Sequence, residues 1–252
     1  MHRFYIDKNN IKGTHAIITG QDSRHLASVM RLGSGDMVEL ADGNGCHYLA
    51  RVESTSAGQT DLTILKTSHL KAESMAYIAI AQGVLKDKKM DTLLRQLTEL
   101  GIMEWMPFFA KRSVPVPAPK KDGARVERWQ KIAQEAMKQC GRSVLPKINP
   151  PSSFDDIMTI SRQYDKKILF WERSESPLDL LRKKEESSET RSLKILIMTG
   201  PEGGFSEDEA KTATENGFIS LSMGPRILRA ETATVTACAL VQNIFGDLGK
   251  KE

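Results

Sequence analysis

Two short stretches near the carboxyl end constrain the fold more than any other feature. Thr199-Gly-Pro-Glu-Gly-Gly-Phe-Ser206 follows the apolar run Leu193–Met198, and Gly224-Pro-Arg-Ile-Leu-Arg-Ala-Glu-Thr232 follows Phe218–Met223. Each precedes a segment with helical spacing. A strand, a glycine-bearing turn and a helix, twice in succession, predict an α/β fold. In such sheets small molecules bind in the turns beyond the strand ends.

The first turn resembles a phosphate cradle only superficially. It has no lysine at the GxxxxGK[ST] position, and its glycines are not spaced as GxGxxG. Glu202, Glu207, Asp208 and Glu209 crowd it, and carboxylates there compete with phosphate for the helix N-terminus. ATP and dinucleotides are therefore disfavoured. A ligand with an adenosine part and a cationic centre suits the turn better, and S-adenosylmethionine, a sulfonium, meets that description. Ser206 with Glu209 also reads as a capping box. Gly203-Gly204 also reads as a tight turn. Neither accounts for Pro201-Glu202 between glycines.

In the second turn Arg226, Arg229 and Glu231 stand just before Thr232–Gly246, a segment without any charge. That segment is expected to be a fully buried helix, in the core or at a subunit interface. Charges gathered at the mouth of a buried helix point to a site. Glu231 also suits a helix N-terminus through the helix dipole alone.

Upstream, Arg3 to Lys71 reads as short strands and turns, with Asp42-Gly-Asn-Gly45 as a hairpin signal between Met37–Ala41 and Cys46–Glu53. Asp22–Met30 reads as a helix with Asp22 as N-cap. The pattern predicts a small β-barrel over 1–71 and an alternating strand–helix domain over 72–252. Met90, Leu93, Leu94, Leu97 and Leu100 make an amphipathic helix stopped by Gly101. A second helix from about Ala124 to Gln139 presents Val126, Trp129, Ile132, Ala133, Ala136 and Met137 to a core, with Arg125, Arg128, Lys131, Glu135 and Lys138 on another side. Between Lys86 and Lys147 stand fourteen basic and seven acidic residues, although the whole chain carries only +4. That concentration suits a surface facing a polyanion, and equally a solvated basic face.

Three scattered cysteines and no HxxxH pair leave no disulfide framework and no metal site to expect. Met1-His-Arg-Phe-Tyr-Ile6 lacks the order of a signal peptide, and no apolar run reaches membrane-spanning length. The expectation is a cytoplasmic protein without membrane contact.

The paired motifs Gly200–Ser206 and Leu221–Ala233 resemble those of the RsmE family of 16S ribosomal RNA uridine-N3 methyltransferases, in the SPOUT superfamily. The likeness runs along the chain, through Arg3-Phe4, His25-Leu26, Arg31-Leu32, Gly35-Asp36, Lys86–Asp91, Glu99–Gly101, Pro107, Arg112-Ser113, Arg142 and Pro146. Gln96 and Cys140 depart from it, standing where the family usually has lysine and serine.

The resemblance implies a PUA-like RNA-binding β-barrel over 1–71. It implies a SPOUT methyltransferase domain with a deep trefoil knot over 72–252, and a homodimer acting on 16S ribosomal RNA in the assembled small subunit. S-adenosylmethionine would be held by Leu169 and Glu172 at one strand end and by Thr199, Gly200, Pro201, Glu202, Gly203 and Gly204 in the first turn. Leu221, Ser222, Met223, Gly224, Ile227, Leu228, Arg229, Ala230 and Thr232 would complete the set. Glu231 is the first candidate for the base that removes the N3 proton, Glu202 the second, and Arg229 the candidate for stabilising charge on the base oxygens. Arg3, Arg31, Lys86, Lys88, Lys89, Arg112, Arg128 and Arg142 are the candidate RNA contacts. Two other functions fit the same residues: ribose 2′-O-methylation, and a ribosome-assembly factor that binds RNA without catalysis.

Overall fold

The computed structural model describes residues 1–56, 58–69, 73–86, 88–182 and 193–249. Residues 70–72, at the expected domain boundary, and residues 183–192 lie outside that set. The chain divides into two compact units, Met1–Glu73 with Gln134–Leu145, and Ser74–Ala133 with Pro146–Glu252. The pattern expected a boundary between 71 and 72. The first unit ends at Glu73 and also includes Gln134–Leu145.

The first unit is a six-stranded sheet. Its strands are β1 (His2–Tyr5), β2 (Ile11–Lys12), β3 (His15–Thr19), β4 (Met37–Ala41), β5 (Cys46–Ser56) and β6 (Gln59–His69), in the order β1-β4-β5-β6-β3-β2. All pairs are antiparallel except β1 with β4. Phe4, Ile18, Leu26, Val38, Leu40, Val52 and Leu62 form its core. Asp42 closes the β4–β5 turn, its carboxylate accepting from the backbone N–H of Asn44 and Cys46 and from the Tyr48 hydroxyl.

Helix α1 (Gly20–Arg24) has Thr19 at its N-cap position and so begins three residues before an Asp22 N-cap predicts. Asp22 sits in its first turn, 3.2 Å from Lys138 Nζ. That ammonium, one of the expected cationic stripe, is therefore turned into its own unit.

The second unit carries β7 (Tyr77–Gly83), α2 (Lys89–Glu99), β8 (Glu104–Phe109) and the start of α3 (Asp122–Cys140). After β9 (Lys147–Ile148) and β10 (Ser152–Ser153) come α4 (Phe154–Ser161), β11 (Lys166–Phe170) and α5 (Asp179–Arg182). Then follow β12 (Lys194–Thr199), α6 (Glu207–Glu215), β13 (Ile219–Leu221) and α7 (Ala230–Phe245). The strands run in the order β10-β8-β7-β12-β11-β13, with β9 on β8, and every pair is parallel. Parallel sheets are covered on both faces, which accounts for the unbroken apolar runs of β7 and β12. Trp129 of α3 packs edge-on against Trp105 with centroids 4.7 Å apart and donates from Nε1 to Asp91.

Helix α7 is not buried all round within one chain. Thr234, Ala237, Cys238, Val241 and Gln242 face inward, while Val235, Thr236, Ala239 and Leu240 are only half-buried. Gln242 Nε2 donates to the carbonyls of Leu100 and Gly101, so α7 caps the end of α2. Gly101 has φ +84° there, and a Cβ would come 2.8 Å from that amide. Among the described residues no helix is long and apolar enough to cross a membrane.

At the amino ends of the strands Glu104 is buried, with four donors. Lys147 Nζ and Asn149 Nδ2 reach Oε1 at 2.8 and 2.9 Å, and the hydroxyls of Tyr77 and Tyr164 each reach Oε2 at 2.9 Å. Burial pushes the carboxyl up, but the four donors together hold it below its usual value. Its contribution to stability is therefore present above the unfolded carboxylate range and is lost as pH falls through the lowered folded value. Glu104→Gln is expected to destabilise by about 2–4 kcal/mol at pH 7. In urea unfolding the gap from wild type should narrow between about pH 5 and pH 3.

Candidate functional site

The two glycine turns meet. β12 and β13 flank β11 in the parallel sheet, so the turns after them lie side by side at the carboxyl edge, next to the end of β11. Between them is a cavity of about 410 Å³. Its walls are Phe170–Glu172, Thr199–Phe205, Ser222–Glu231, Ala233 and Lys89.

Local chemistry shapes the first turn. Phe205 is buried and stacks on Phe108 at 6.3 Å, which anchors the loop to the sheet. Ser206 and Glu209 form the expected capping box of α6. Glu209 also accepts from Lys111 N–H at 2.7 Å, so its carboxylate serves the scaffold. A Cβ at Gly203 would stand 2.9 Å from Arg112 Cβ and 3.0 Å from its carbonyl oxygen. Gly204 has φ +66°, and a Cβ there would lie 2.9 Å from the Glu172 carboxylate. The turn thus depends on glycine for close approach as well as for backbone freedom.

Beneath the turns lies a buried polar junction that sequence patterns did not reveal. Gln82, at the end of β7, donates from Nε2 to the carbonyls of Gly83 and Gly200. The Thr199 hydroxyl lies 3.0 Å, and the Thr234 hydroxyl 2.6 Å, from Gln82 Oε1. The two hydroxyls are 2.9 Å apart. One side chain thus ties the first turn, the central sheet and the start of α7 together. The available signal was a glutamine closing an apolar strand and a threonine one turn into an uncharged helix.

The charged groups form a second junction. Lys89 Nζ lies 3.2 Å from Glu202 Oε1 and 3.4 Å from Glu231 Oε2. Burial pushes Glu202 up, yet hydrogen bonds from backbone N–H groups, Lys86 among them, and from Lys89 hold it below the usual carboxylate value. Lys89, a candidate RNA contact, lines the cavity.

Of the expected ligand-holding residues, Glu172, Thr199–Gly204, Ser222–Gly224 and Ile227–Ala230 line the cavity. Leu169 and Leu221 do not. Both are fully buried: Leu169 belongs to the core cluster that holds Leu196 and Met198, and Leu221 is in register with Phe170 within the sheet. Thr232 is exposed and also stands outside the lining. Phe170 and Trp171 line it without having been singled out.

The expected RNA contacts scatter. Arg31 is exposed in the left-handed region with φ 55°. Lys86, Lys88 and Arg112 are exposed, and Arg112 donates to Gly203 O at 3.2 Å. Arg3 is paired with Glu39, and Arg128 with Asp91. Arg142 is a correction: it is 3% exposed, and its guanidinium grips Glu73 at 2.7 Å inside the first unit. A buried arginine needs such a partner, and this one cannot face a phosphate backbone.

Residues 72–242 match the model of the RNA methyltransferase domain, and residues 18–65 that of the RNA methyltransferase PUA domain. The ribosomal RNA small subunit methyltransferase E of Bacillus subtilis (strain 168) is 31% identical over 96% of both chains. The chain belongs to the ribosomal RNA small subunit methyltransferase E family. The member from Buchnera aphidicola subsp. Acyrthosiphon pisum (strain APS) is 28% identical over 97% of this chain and 94% of its own. Among solved structures, a ribosomal RNA small subunit methyltransferase E from Neisseria gonorrhoeae bound to S-adenosyl methionine is 29% identical. It matches with TM-score 0.86 over 98% of this chain and 99% of its own. A putative methyltransferase from Legionella pneumophila, in complex with the bound cofactor SAM, matches at 26% identity and TM-score 0.87 over 98% of both chains. This member is an α/β methyltransferase domain preceded by a PUA-like domain; the PUA match lies in the first unit, and the methyltransferase match covers most of the second together with Gln134–Leu145 of the first.

Proposed function

We propose that the chain transfers a methyl group from S-adenosylmethionine to N3 of a uridine in the 16S ribosomal RNA of the small subunit. The observation that carries this is the cavity at the strand ends, where one glutamate from each glycine turn flanks a shared lysine. The residues fit the cofactor. The cavity has the size of small-molecule sites. Glu172, Glu202 and Glu231 offer carboxylates that can face a sulfonium, while Lys89, Arg226 and Arg229 balance their charge in the same lining. S-adenosylmethionine, when bound, supplies an electrophilic methyl group. The backbones of Thr199–Gly204 and Ser222–Ala230 would hold it, with Phe170, Trp171 and Leu228 as apolar walls.

N3 lies on the pairing edge, so the target uridine must be unpaired or flipped out. Glu231 accepts the N3 proton, and Glu202 is the second candidate. Arg229, exposed at the rim, either stabilises charge on the base oxygens or grips a phosphate. Arg31, Lys86, Lys88 and Arg112 are exposed and are assigned to the RNA backbone. The PUA-like unit adds RNA affinity. The proposal includes the trefoil knot in the methyltransferase domain, a cytoplasmic location and a homodimer. The half-exposed, uncharged face of α7 supports the dimer.

The test is radiolabelled methyl transfer to small subunits lacking the modification, followed by nucleoside mapping. N3-methyluridine is expected. Label on a ribose oxygen, or none on any nucleoside, would sink the proposal. Gly203→Ala should weaken S-adenosylmethionine binding about tenfold, because the added methyl group meets Arg112 backbone and costs about 1–3 kcal/mol of strain in the turn. Isothermal titration measures it.

A further inference from the structure

Lys89 stands at the amino end of α2, far in sequence from both turns, and its ammonium joins their carboxylates. Glu202 has a second donor in Lys86 N–H at 3.1 Å. For the Glu231 carboxylate, Lys89 is the donor that the described residues offer. The remaining charged side chains lining the cavity are Glu172, Arg226 and Arg229. Lys89 thus occupies a central place between the two candidate bases, while 38% of its side-chain surface stays open.

We propose that Lys89 is a further catalytic group of the methyl transfer, the cation that stabilises the base once its N3 proton has left. This rests on the N3 reading above and adds chemistry to the same cavity. The step is a proton transfer. The N3–H bond breaks, an O–H bond forms on Glu231, and the electron pair stays on N3, shared with the two flanking carbonyl oxygens. Negative charge disappears from Glu231 and appears on the base.

An ammonium 3.4 Å from the vacated carboxylate oxygen faces negative charge before the transfer and after it. The charge therefore moves without leaving its counter-ion, and the barrier to separating charge in a partly desolvated site is avoided. Lysine suits the task because its three N–H donors sit on a flexible stem. It can keep Glu202 while another N–H turns from Glu231 to a carbonyl oxygen of the base. Hydrogen bonding to Glu202 and the charge of Glu231 raise the Lys89 pKa above its ordinary value, so the ammonium persists across the working pH range.

A purely structural role predicts something different. A clamp that only holds the two turns together affects cofactor binding and is indifferent to the acidity of the base. The experiment separates the two with substrates of different acidity. Small subunits are assembled on transcribed 16S RNA containing either uridine or 5-fluorouridine, whose fluorine makes N3–H more acidic. Single-turnover methylation is measured for wild type, Lys89→Met and Lys89→Arg, together with S-adenosylmethionine affinity by titration.

Lys89→Met is expected to slow uridine methylation about a hundredfold. The same variant should lose only about tenfold on 5-fluorouridine, with cofactor affinity within about threefold of wild type. Its rate on uridine should also keep rising with pH where the wild-type rate has levelled. Lys89→Arg, which keeps the charge, should retain most of the rate and controls for the fold. Equal losses on both bases at every pH, tracking a loss of cofactor affinity, would overturn the proposal and leave the N3 reading intact. Label outside N3 in the wild-type product would overturn both, and the wild-type reaction alone reports that.

Discussion

Glu231→Gln is expected to slow single-turnover methylation by about 10²- to 10⁴-fold, the range associated with loss of a positioned general base. The glutamine keeps the size and hydrogen-bonding reach of the side chain but cannot take the N3 proton. Glu231 lies in the first turn of α7, at the cavity wall, with its side chain 30% exposed. Folding and cofactor affinity should therefore change little, and titration should place the S-adenosylmethionine Kd within about threefold of wild type. Glu202→Gln separates the two candidates. Glu202 is held by Lys86 N–H as well as by Lys89, an arrangement that fits a structural clasp between the first turn and α2. Its loss should reduce cofactor affinity more than rate. An unchanged single-turnover rate for Glu231→Gln, with a large loss for Glu202→Gln, would exchange their roles.

Gln82→Leu is the change with the largest expected effect on stability. Gln82 has no exposed surface, and its amide engages two carbonyls and two hydroxyls. Leucine fills the space but leaves the Gly200 carbonyl and the two threonine hydroxyls without that partner. Each buried polar group left unsatisfied costs about 1–3 kcal/mol, so the whole change should cost about 3–5 kcal/mol. Thr234 still has the Ala230 carbonyl at 2.9 Å, which limits the damage on the helix side. The first turn loses its tie to the sheet, so cofactor affinity should fall with stability. Urea unfolding and titration measure the two effects. A loss under about 1 kcal/mol would mean that the hydroxyls satisfy each other.

Local features were legible because they need no distant partner. The hairpin at Asp42–Gly45, the Gly101 stop and the Ser206 capping box each depend on residues within a few positions. The two glycine turns belong to the same class, since glycine conformation and the switch from apolar run to helical spacing are local signals. Partly local features were misplaced by small amounts. Helix α1 begins at Gly20 because Thr19 ends β3 directly, leaving no loop in which Asp22 could serve as N-cap.

Assignments that needed a partner fared worse. Lys89 and Arg142 are both cations in a basic segment, and composition treats them alike. Their partners are 113 and 142 positions away for Lys89, and 69 for Arg142. Only the fold decides that one faces a cavity while the other is sealed against Glu73. Leu169 and Leu221 were placed at the ligand because they flank the turns. Both side chains are fully buried within the sheet, and Phe170 and Trp171 line the wall.

By itself the sequence determined the fold class, the two glycine turns, the acidic character of the first and the family, because glycine spacing, apolar runs and charge sign are properties of the chain itself. The tertiary structure decided which charges meet. Lys89 between Glu202 and Glu231, and Gln82 beneath Thr199 and Thr234, exist only after β12, β11 and β13 pair in parallel and α7 packs back on the sheet. An ion pair or a buried hydrogen bond depends on distance in space, and no pattern of residue types supplies that distance.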